Sequence, residues 1–265
     1  NNILINRIEH RMNWRYKALL QLVFSNIPCG ERLNYLFQRF VMKSLPVSDA
    51  KFASIVTSAK EHIDIVTEYC NLPLKAITFY EFGAGWDLII PLAFCAYGVE
   101  HQVLVDIRNL LRCELVNDTI KKFKQNAIDW ELPRRIDKFL PKDTFLSSLE
   151  KYYGIKYLAP SDARDTGLKA DSIDVITSTN TLEHISPHDI QKILLECHRL
   201  LRNDGLMSLF IDYKDHYSYF DHNISTYNFL QYSDRTWKFF NPPLHYQNRL
   251  RHSDYLRLFQ QAGFE

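Results

Sequence analysis

The stretch FYEFGAGWDLIIPLAF, residues 79–94, sets an acid and two glycines between two apolar runs. The first run has the composition of a short buried β-strand, and the second has that of a helix. Glycines at such a junction let the backbone approach a ligand closely. The stretch therefore predicts a strand, a loop carrying Glu81, Gly83 and Gly85, and a helix.

Four later segments also have the composition of buried strands, and helical segments separate them. This alternation predicts an α/β fold with a doubly wound, mostly parallel sheet. The last intervening helix, PHDIQKILLECHRLLRNDG, has Gly205 in the position of a C-terminal stop. The four segments are HQVLVDI (101–107), IKYLAP (155–160), SIDVITST (172–179) and LMSLFID (206–212).

Polar residues follow four of the predicted strands. Doubly wound sheets bind ligands at the carboxyl ends of their strands. Glu81, Asp106, Asp162 and Asn180 all fall at such ends. Their shared position predicts one ligand site along this edge of the sheet.

The flanking segments differ from the strand-and-helix pattern. Residues 1–75 have helical spacing, with Ser48 as a helix N-cap, and predict an N-terminal helical cap or arm. Residues 76–265 form the predicted main domain. Within it, residues 125–154 read as a polar, proline-marked insertion and residues 213–248 as an aromatic lid.

Composition restricts the class of protein. The 265 residues carry a formal net charge of +1, so no global field favours nucleic acid. No apolar run reaches the ~18 residues of a membrane span. The five cysteines form no CxxC pair, which predicts reduced thiols and a cytoplasmic location.

The glycine loop fits some cofactor classes better than others. Leu88 occupies the place of the third glycine in a dinucleotide fingerprint, which disfavours an NAD-linked oxidoreductase. No Gly-Lys-Ser/Thr follows, which excludes a P-loop. A non-catalytic binding or scaffold module stays open, and the complete set of acids and glycines argues against it.

Five segments between residues 77 and 211 resemble the class I S-adenosylmethionine-dependent methyltransferases. The resemblance is to the group whose fourth-strand motif ends in Leu-Glu-His, and it implies a Rossmann-like methyltransferase fold that binds S-adenosyl-L-methionine. The segments are YEFGAG, VLVDI, SDA, IDVITSTNTLEHI and ECHRLLRNDGLMSLFI.

The same resemblance implies roles on the first two strands. Glu81 would lie near the methionine amino end of the cofactor. Gly83 and Gly85 would sit beneath the cofactor, and Asp106 would hold the ribose. A carboxylate at the position of Asp106 can accept from both ribose hydroxyls.

On the later strands the resemblance implies that Asp162 and Ala163 border the adenine. Asn180 and Thr181 would line the methyl-donor pocket. The family usually ends with two further strands, and this sequence stops where the sixth would begin. It also lacks an initiating Met. We therefore expect the sequence to continue beyond both ends, with its C-terminal strands truncated.

Only the chemical class of the acceptor is predicted. It is a small polar molecule, such as a sugar or glycan, that would be methylated on a hydroxyl. A hydroxyl acceptor needs a base or a metal, and histidine titrates near neutral pH. The candidate bases are His184, His216 and His222. The acids and histidines between residues 212 and 222 match no metal signature, so no metal is predicted.

Overall fold

The computed structural model describes residues 13–42, 44–126, 130 and 132–265. Residues 1–12 and 43 of the predicted arm, and residues 127–129 and 131 of the predicted insertion, lie outside the described residues. The chain forms two compact units, here called the sheet unit and the helical unit. The sheet unit comprises Pro46–Thr181, Gln191–Phe210 and Leu258–Glu265, and the helical unit comprises Asn1–Leu45, Leu182–Ile190 and Ile211–Arg257.

The sheet unit is built on five parallel strands in the order β3-β2-β1-β4-β5. This is the order of a doubly wound sheet, whose ligand crevice lies where the strand order reverses. The structure confirms the predicted fold class. The strands are β1 (Thr78–Phe82), β2 (His101–Val105), β3 (Ile155–Leu158), β4 (Ile173–Thr179) and β5 (Leu201–Phe210).

Helices cover the sheet and close its core. Strands β1 and β4 are buried along almost their whole length, as strands covered on both faces should be. The helices are α3 (Asp49–Tyr69), α4 (Ile89–Ala96), α5 (Cys113–Asn126), α6 (Phe145–Tyr153) and α7 (Pro187–Leu200). Every residue of α4 is buried, which explains its uniformly apolar sequence.

Helix α3 begins as the sequence predicts. The Ser48 side chain accepts from the Lys51 backbone N–H at 3.3 Å, which satisfies one donor of the first turn. The helix buries Phe52, Val56 and Ala59 in the core of the sheet unit. The predicted arm, residues 1–75, is thus divided between the two units.

The predicted helix stop at Gly205 is wrong. Helix α7 ends at Leu200, and Gly205 lies inside β5. The register of β4 and β5 shifts across the stretch that contains Gly205, so that Ile173 pairs with Leu201 but Val175 pairs with Leu206. A Cβ on Gly205 would lie 2.7 Å from the Leu201 side chain, so glycine is required for this irregular stretch of strand.

The helical unit has a core of its own. Its helices are α1 (Trp14–Ser25), α2 (Gly30–Leu36) and α8 (Asp234–Phe240), and helix α9 (His252–Gln261) begins in it. Trp14 of α1 packs against Tyr217 and Trp237, and Phe229 joins the same buried cluster through Trp237. The aromatic residues of the predicted lid, 213–248, therefore fill a core together with the N-terminal helix.

Among the described residues, no helix is both long and apolar enough to cross a membrane. All five cysteines lie in the described part of the chain as free thiols.

Candidate active site

The loop after β1 contains residues in the left-handed backbone conformation. Gly83 and Gly85 have φ of +78° and +76°, which glycine adopts at no steric cost. Leu88, just before α4, also has a positive φ of +55° while its side chain is fully buried. Gly83 N donates to Val105 O at 3.1 Å, which joins the loop to the end of β2.

The two glycines face different surroundings. A Cβ on Gly83 would lie 2.4 Å from Cγ2 of Thr181, whereas a Cβ on Gly85 would have nothing within 4 Å. Thr181 Oγ1 also donates weakly to the Gly83 carbonyl, at 3.4 Å. Gly83 is therefore needed for close packing against the end of β4, and Gly85 opens onto space that a ligand can fill.

Two buried carboxyl groups lie at the ends of the adjacent strands β1 and β2. Glu81 is 3% exposed and Asp106 is 6% exposed. Burial, together with the neighbouring Asp106, raises the pKa of Glu81 to about 8. Burial raises the pKa of Asp106 to about 7, although the hydrogen bond from Tyr157 acts in the opposite direction.

Asp106 is held in place from the end of β3. The Tyr157 hydroxyl donates to Asp106 Oδ2 at 3.3 Å, and Ser161 N donates to the Asp106 carbonyl at 2.8 Å. Glu81 differs, because its Oε2 atom has no hydrogen-bond partner within the described chain. A buried carboxyl oxygen without a partner is costly, and a bound cationic or hydroxyl group would satisfy it.

Asp162, predicted to border the adenine, is engaged by a neighbour. The Arg164 guanidinium donates to both of its carboxyl oxygens, at 2.6 and 3.0 Å, and holds the pKa of Asp162 below its usual value. Ala163 lies between them and is half-buried. The pair lies just beyond β3. Its role at the adenine stays a prediction from the family resemblance.

Asn180 ends β4 in a left-handed conformation, with φ of +52°. Its backbone N–H donates to Phe210 O at 2.8 Å, and its side chain is exposed. Within the sheet unit, the structure thus places Glu81, Asp106, Asp162 and Asn180 at the carboxyl ends of β1 to β4.

A buried histidine that the sequence analysis did not consider supports this edge of the sheet. His62 of α3 is fully buried, with Nδ1 2.7 Å from Ser208 Oγ and Nε2 3.1 Å from Thr179 Oγ1. Its ring stacks on Phe210 at 3.9 Å. Burial lowers the pKa of His62 to about 4, so the ring is neutral and its two nitrogens bond to both strands.

In the helical unit, two of the predicted histidines meet a buried acid. Potential ligand atoms of Glu183, His184 and His216 all lie within 4.8 Å of one another. The two imidazole rings are 4.8 Å apart, centroid to centroid. Glu183 is 1% exposed, and burial raises the pKa of its carboxyl to about 8.

Asn248, a second residue that the sequence analysis missed, fixes the turn that carries this cluster. Its Nδ2 donates to the carbonyls of Leu182 and Ile185, at 2.8 and 2.9 Å. Its backbone N–H donates to Glu183 O at 2.7 Å, and Tyr255 donates to its Oδ1 at 3.1 Å. The turn is therefore held rigidly by residues about 65 positions later in the chain.

His222, the third predicted base, is exposed. The neighbouring Asp221 accepts from Trp14 N at 3.1 Å and from Asn223. Asp215 caps the short helix at residues 216–219 and also accepts from Asn228. These two acids thus stabilise the fold of the helical unit.

A large open groove, with a volume of about 1200 Å³, lies in the helical unit. His184 lines it, together with aromatic and polar side chains. Arg249, also in the lining, donates to the carbonyls of Phe229 and Tyr232 and pairs with Asp234. Other lining residues are Asp189, Tyr232, Trp237, Asn241 and Tyr246.

One family model matches the sequence. It is described as a methyltransferase domain and matches residues 141–209, which include β3, β4 and β5. No curated protein matches the chain significantly.

Solved structures of similar fold include three from microorganisms. The YcgJ protein of Bacillus subtilis is 17% identical, with a TM-score of 0.43 over 81% of this chain and 68% of its own. A proposed sarcosine dimethylglycine methyltransferase from Galdieria sulphuraria is also 17% identical, with a TM-score of 0.45 over 78% of this chain and 61% of its own.

The third is a SAM-dependent methyltransferase from Archaeoglobus fulgidus, 15% identical, with a TM-score of 0.42. The match covers 79% of this chain and 69% of that protein. This chain thus spans about two thirds of the length of these proteins. Residues 141–209 thus match a methyltransferase domain, and the strands that they form belong to a doubly wound sheet with a glycine loop and buried acids at its strand ends.

Proposed function

We propose that the protein transfers a methyl group from S-adenosylmethionine to a hydroxyl of a small polar acceptor, such as a sugar or glycan. The observation that carries the proposal is the pair of buried carboxyls, Glu81 and Asp106, at the ends of adjacent parallel strands. Glu81 Oε2 is without a partner, and Gly85 opens onto free space. Both features fit a ligand that brings an ammonium group and ribose hydroxyls.

On the donor side, each residue has a role that its surroundings support. Glu81 binds the ammonium group, and Asp106 accepts from the ribose hydroxyls while Tyr157 holds its carboxyl in place. The bound cofactor supplies a methyl group on a positively charged sulfur. Methyl transfer is a direct displacement, and alignment of donor and acceptor can account for much of the acceleration of such a reaction.

The groove of the helical unit supports an uncharged, polar acceptor. Sugars combine apolar ring faces with hydroxyl groups, and the groove combines aromatic side chains, Tyr232 and Trp237, with polar ones such as Asn241. Trp237 Nε1 has no hydrogen-bond partner in the described chain. The Arg249 guanidinium is already bonded to backbone carbonyls, which argues against an anionic acceptor.

A hydroxyl acceptor must lose its proton during transfer. His184 lines the groove and stands beside His216, so these two side chains are the best-placed proton acceptors in the helical unit. His222 is the third candidate, on an exposed turn.

Two measurements test the proposal. Isothermal titration calorimetry with S-adenosylhomocysteine should show one binding site. Incubation with methyl-labelled S-adenosylmethionine and a panel of sugars and glycans should yield a labelled, alkali-stable ether. If S-adenosylhomocysteine does not bind to the folded protein, the chain is a binding or scaffold module. If it binds and only amine or carboxylate compounds are methylated, the hydroxyl assignment is wrong.

A further inference from the structure

We infer that Glu183, His184 and His216 form a binding site for a divalent transition-metal ion. The three side chains come from two separate segments of the helical unit, and their ligand atoms converge within 4.8 Å. Two imidazoles and one carboxylate are a ligand set typical of Zn²⁺ and Fe²⁺ sites.

The buried Glu183 carboxyl gives the strongest support for a bound metal ion. The side chain is 1% exposed, and neither carboxyl oxygen has a partner at full hydrogen-bond geometry in the described chain, although the backbone N–H groups of Glu183 and Asp212 lie close enough to offset part of the rise in its pKa that burial causes. Buried carboxyl groups are normally paired or coordinate a metal, because an unsatisfied one is costly. A cation bound between Glu183 and the histidines would satisfy it.

The histidines are oriented in the way that metal ligands usually are. His184 Nδ1 lies 2.8 Å from the Tyr246 carbonyl, so it donates there and leaves the Nε2 lone pair for a metal. His216 Nε2 lies 3.2 Å from Asp212 Oδ2, which places a second carboxylate beside the cluster. Asp212 is itself held by the Tyr219 hydroxyl at 2.6 Å.

The ligand count leaves room for a further ligand. Tetrahedral zinc sites have bonds of about 2.0–2.2 Å and so place their ligand atoms roughly 3.3 Å apart. Small side-chain rotations are therefore enough to close the cluster around an ion. Three protein ligands leave at least one position open for water or substrate.

This inference deepens the proposed function and, where it concerns the acceptor, rests on it. A metal ion lowers the pKa of a hydroxyl bound to it. In this arrangement His184 and His216 would serve as ligands and not as bases. A metal-bound acceptor hydroxyl would lose its proton to water, and its oxygen would take the methyl group as S-adenosylhomocysteine leaves. His184 also lines the groove, so the open position belongs to the proposed acceptor site.

The test is metal binding by the full chain, measured without any methyl transfer. Protein stripped with EDTA is titrated with Co²⁺ and followed by visible absorption, and Zn²⁺ is then added in competition. We expect one equivalent to bind. Glu183→Gln and His216→Asn should each weaken binding by about a hundredfold or more, because each removes one ligand. His184→Asn should also weaken binding. Because this side chain is exposed, the variant should stay folded even if Glu183→Gln does not.

His222→Asn is the matched control, because it removes an exposed histidine from the same unit. It should bind Co²⁺ as the wild type does. The inference is overturned if the wild type binds no Co²⁺ or Zn²⁺, or if folded His184→Asn and Glu183→Gln bind with wild-type affinity. S-adenosylhomocysteine calorimetry on the stripped protein separates the two proposals. If S-adenosylhomocysteine fails to bind while one equivalent of Co²⁺ binds, the metal site is supported and the proposed function is wrong.

Discussion

A Cβ atom on Gly83 would lie 2.4 Å from Cγ2 and 2.8 Å from Oγ1 of Thr181. The Gly83 backbone, in the loop after β1, therefore packs directly against the Thr181 side chain, just after β4. This contact gives Gly83 a role in stability. Gly85, with a φ of almost the same value, has open space where its Cβ would be. The two glycines form a natural matched pair.

We expect Gly83→Ala to destabilise the protein more than Gly85→Ala. Both changes place an L-residue in a left-handed conformation, at a cost of about 1–2 kcal/mol. Gly83→Ala adds the clash with Thr181, and overpacking typically costs about 1–3 kcal/mol more. Urea unfolding of the three ligand-free proteins measures the free energy of unfolding directly.

A double-mutant cycle identifies the source of the difference. In a Thr181→Ala background the two atoms closest to the added Cβ are gone. The cost of Gly83→Ala should then fall toward that of Gly85→Ala. Equal costs for the two glycine substitutions in the wild-type background would show that Thr181 moves aside freely.

The sheet was predictable because its signals are local. Each strand is a short apolar run, and Glu81 and Asp106 follow such runs directly in the sequence. Gly205 was misassigned because a glycine after a helix usually ends it, whereas here the next strand starts at Leu201. Only the shifted pairing of β4 with β5 shows why glycine stands there.

The helical unit was less predictable because its contacts are distant in sequence. Glu183 lies on a turn that Asn248 fixes, whereas His216 comes from a separate segment, and no spacing rule covers such a set. His62 carries a signal that could have been used. It falls on the buried stripe of α3 between Ala59 and Val66, where an imidazole needs partners.

Asp106→Asn should weaken S-adenosylhomocysteine binding about tenfold to a hundredfold. The substitution removes the charge from hydrogen bonds worth about 1.5–3 kcal/mol to a charged group. Calorimetry at pH 8, above the pKa of about 7, compares the variant with the ionised wild type. Tyr157→Phe is the control, because it removes the hydroxyl that supports Asp106 and keeps the carboxyl. Unchanged affinity in folded Asp106→Asn would exclude the ribose role.

The stability of the ligand-free protein should depend on Glu81 above pH 4.5. Its pKa is raised from 4.5 to about 8, so the folded state holds a proton that the unfolded state has lost. The stabilisation from this group is complete below pH 4.5 and is lost as pH rises toward 8. The slope from one such proton is at most about 1.4 kcal/mol per pH unit.

Glu81→Gln removes this titration. Unfolding of wild type and variant at pH 5, 6, 7 and 8 should show the wild type losing stability relative to the variant as pH rises. The difference between the two proteins is the quantity to compare, because other groups titrate in both. A pH-independent difference would mean that Glu81 is ionised in the folded protein at pH 5.

His62 gives the opposite pH dependence. Burial lowers its pKa from 6.5 to about 4, so between these values the unfolded state binds the extra proton. Stability that depends on neutral His62 is present above pH 6.5 and is lost as pH falls toward 4. This range overlaps that of Glu81, so each group is isolated only by comparison with its own variant.

His62→Leu should cost about 1–3 kcal/mol at pH 7, because it leaves the buried hydroxyl of Ser208 and the partly buried hydroxyl of Thr179 without their imidazole partner. Adding Ser208→Ala should recover part of that cost, since the orphaned hydroxyl is then removed. As pH falls from 7 to 5, wild type should lose stability relative to His62→Leu. Urea unfolding of the three proteins at both pH values provides the measurement. Two results together would show that His62 acts only by filling space beside Phe210. Ser208→Ala would further destabilise His62→Leu, and the difference in unfolding free energy between wild type and His62→Leu would be the same at both pH values.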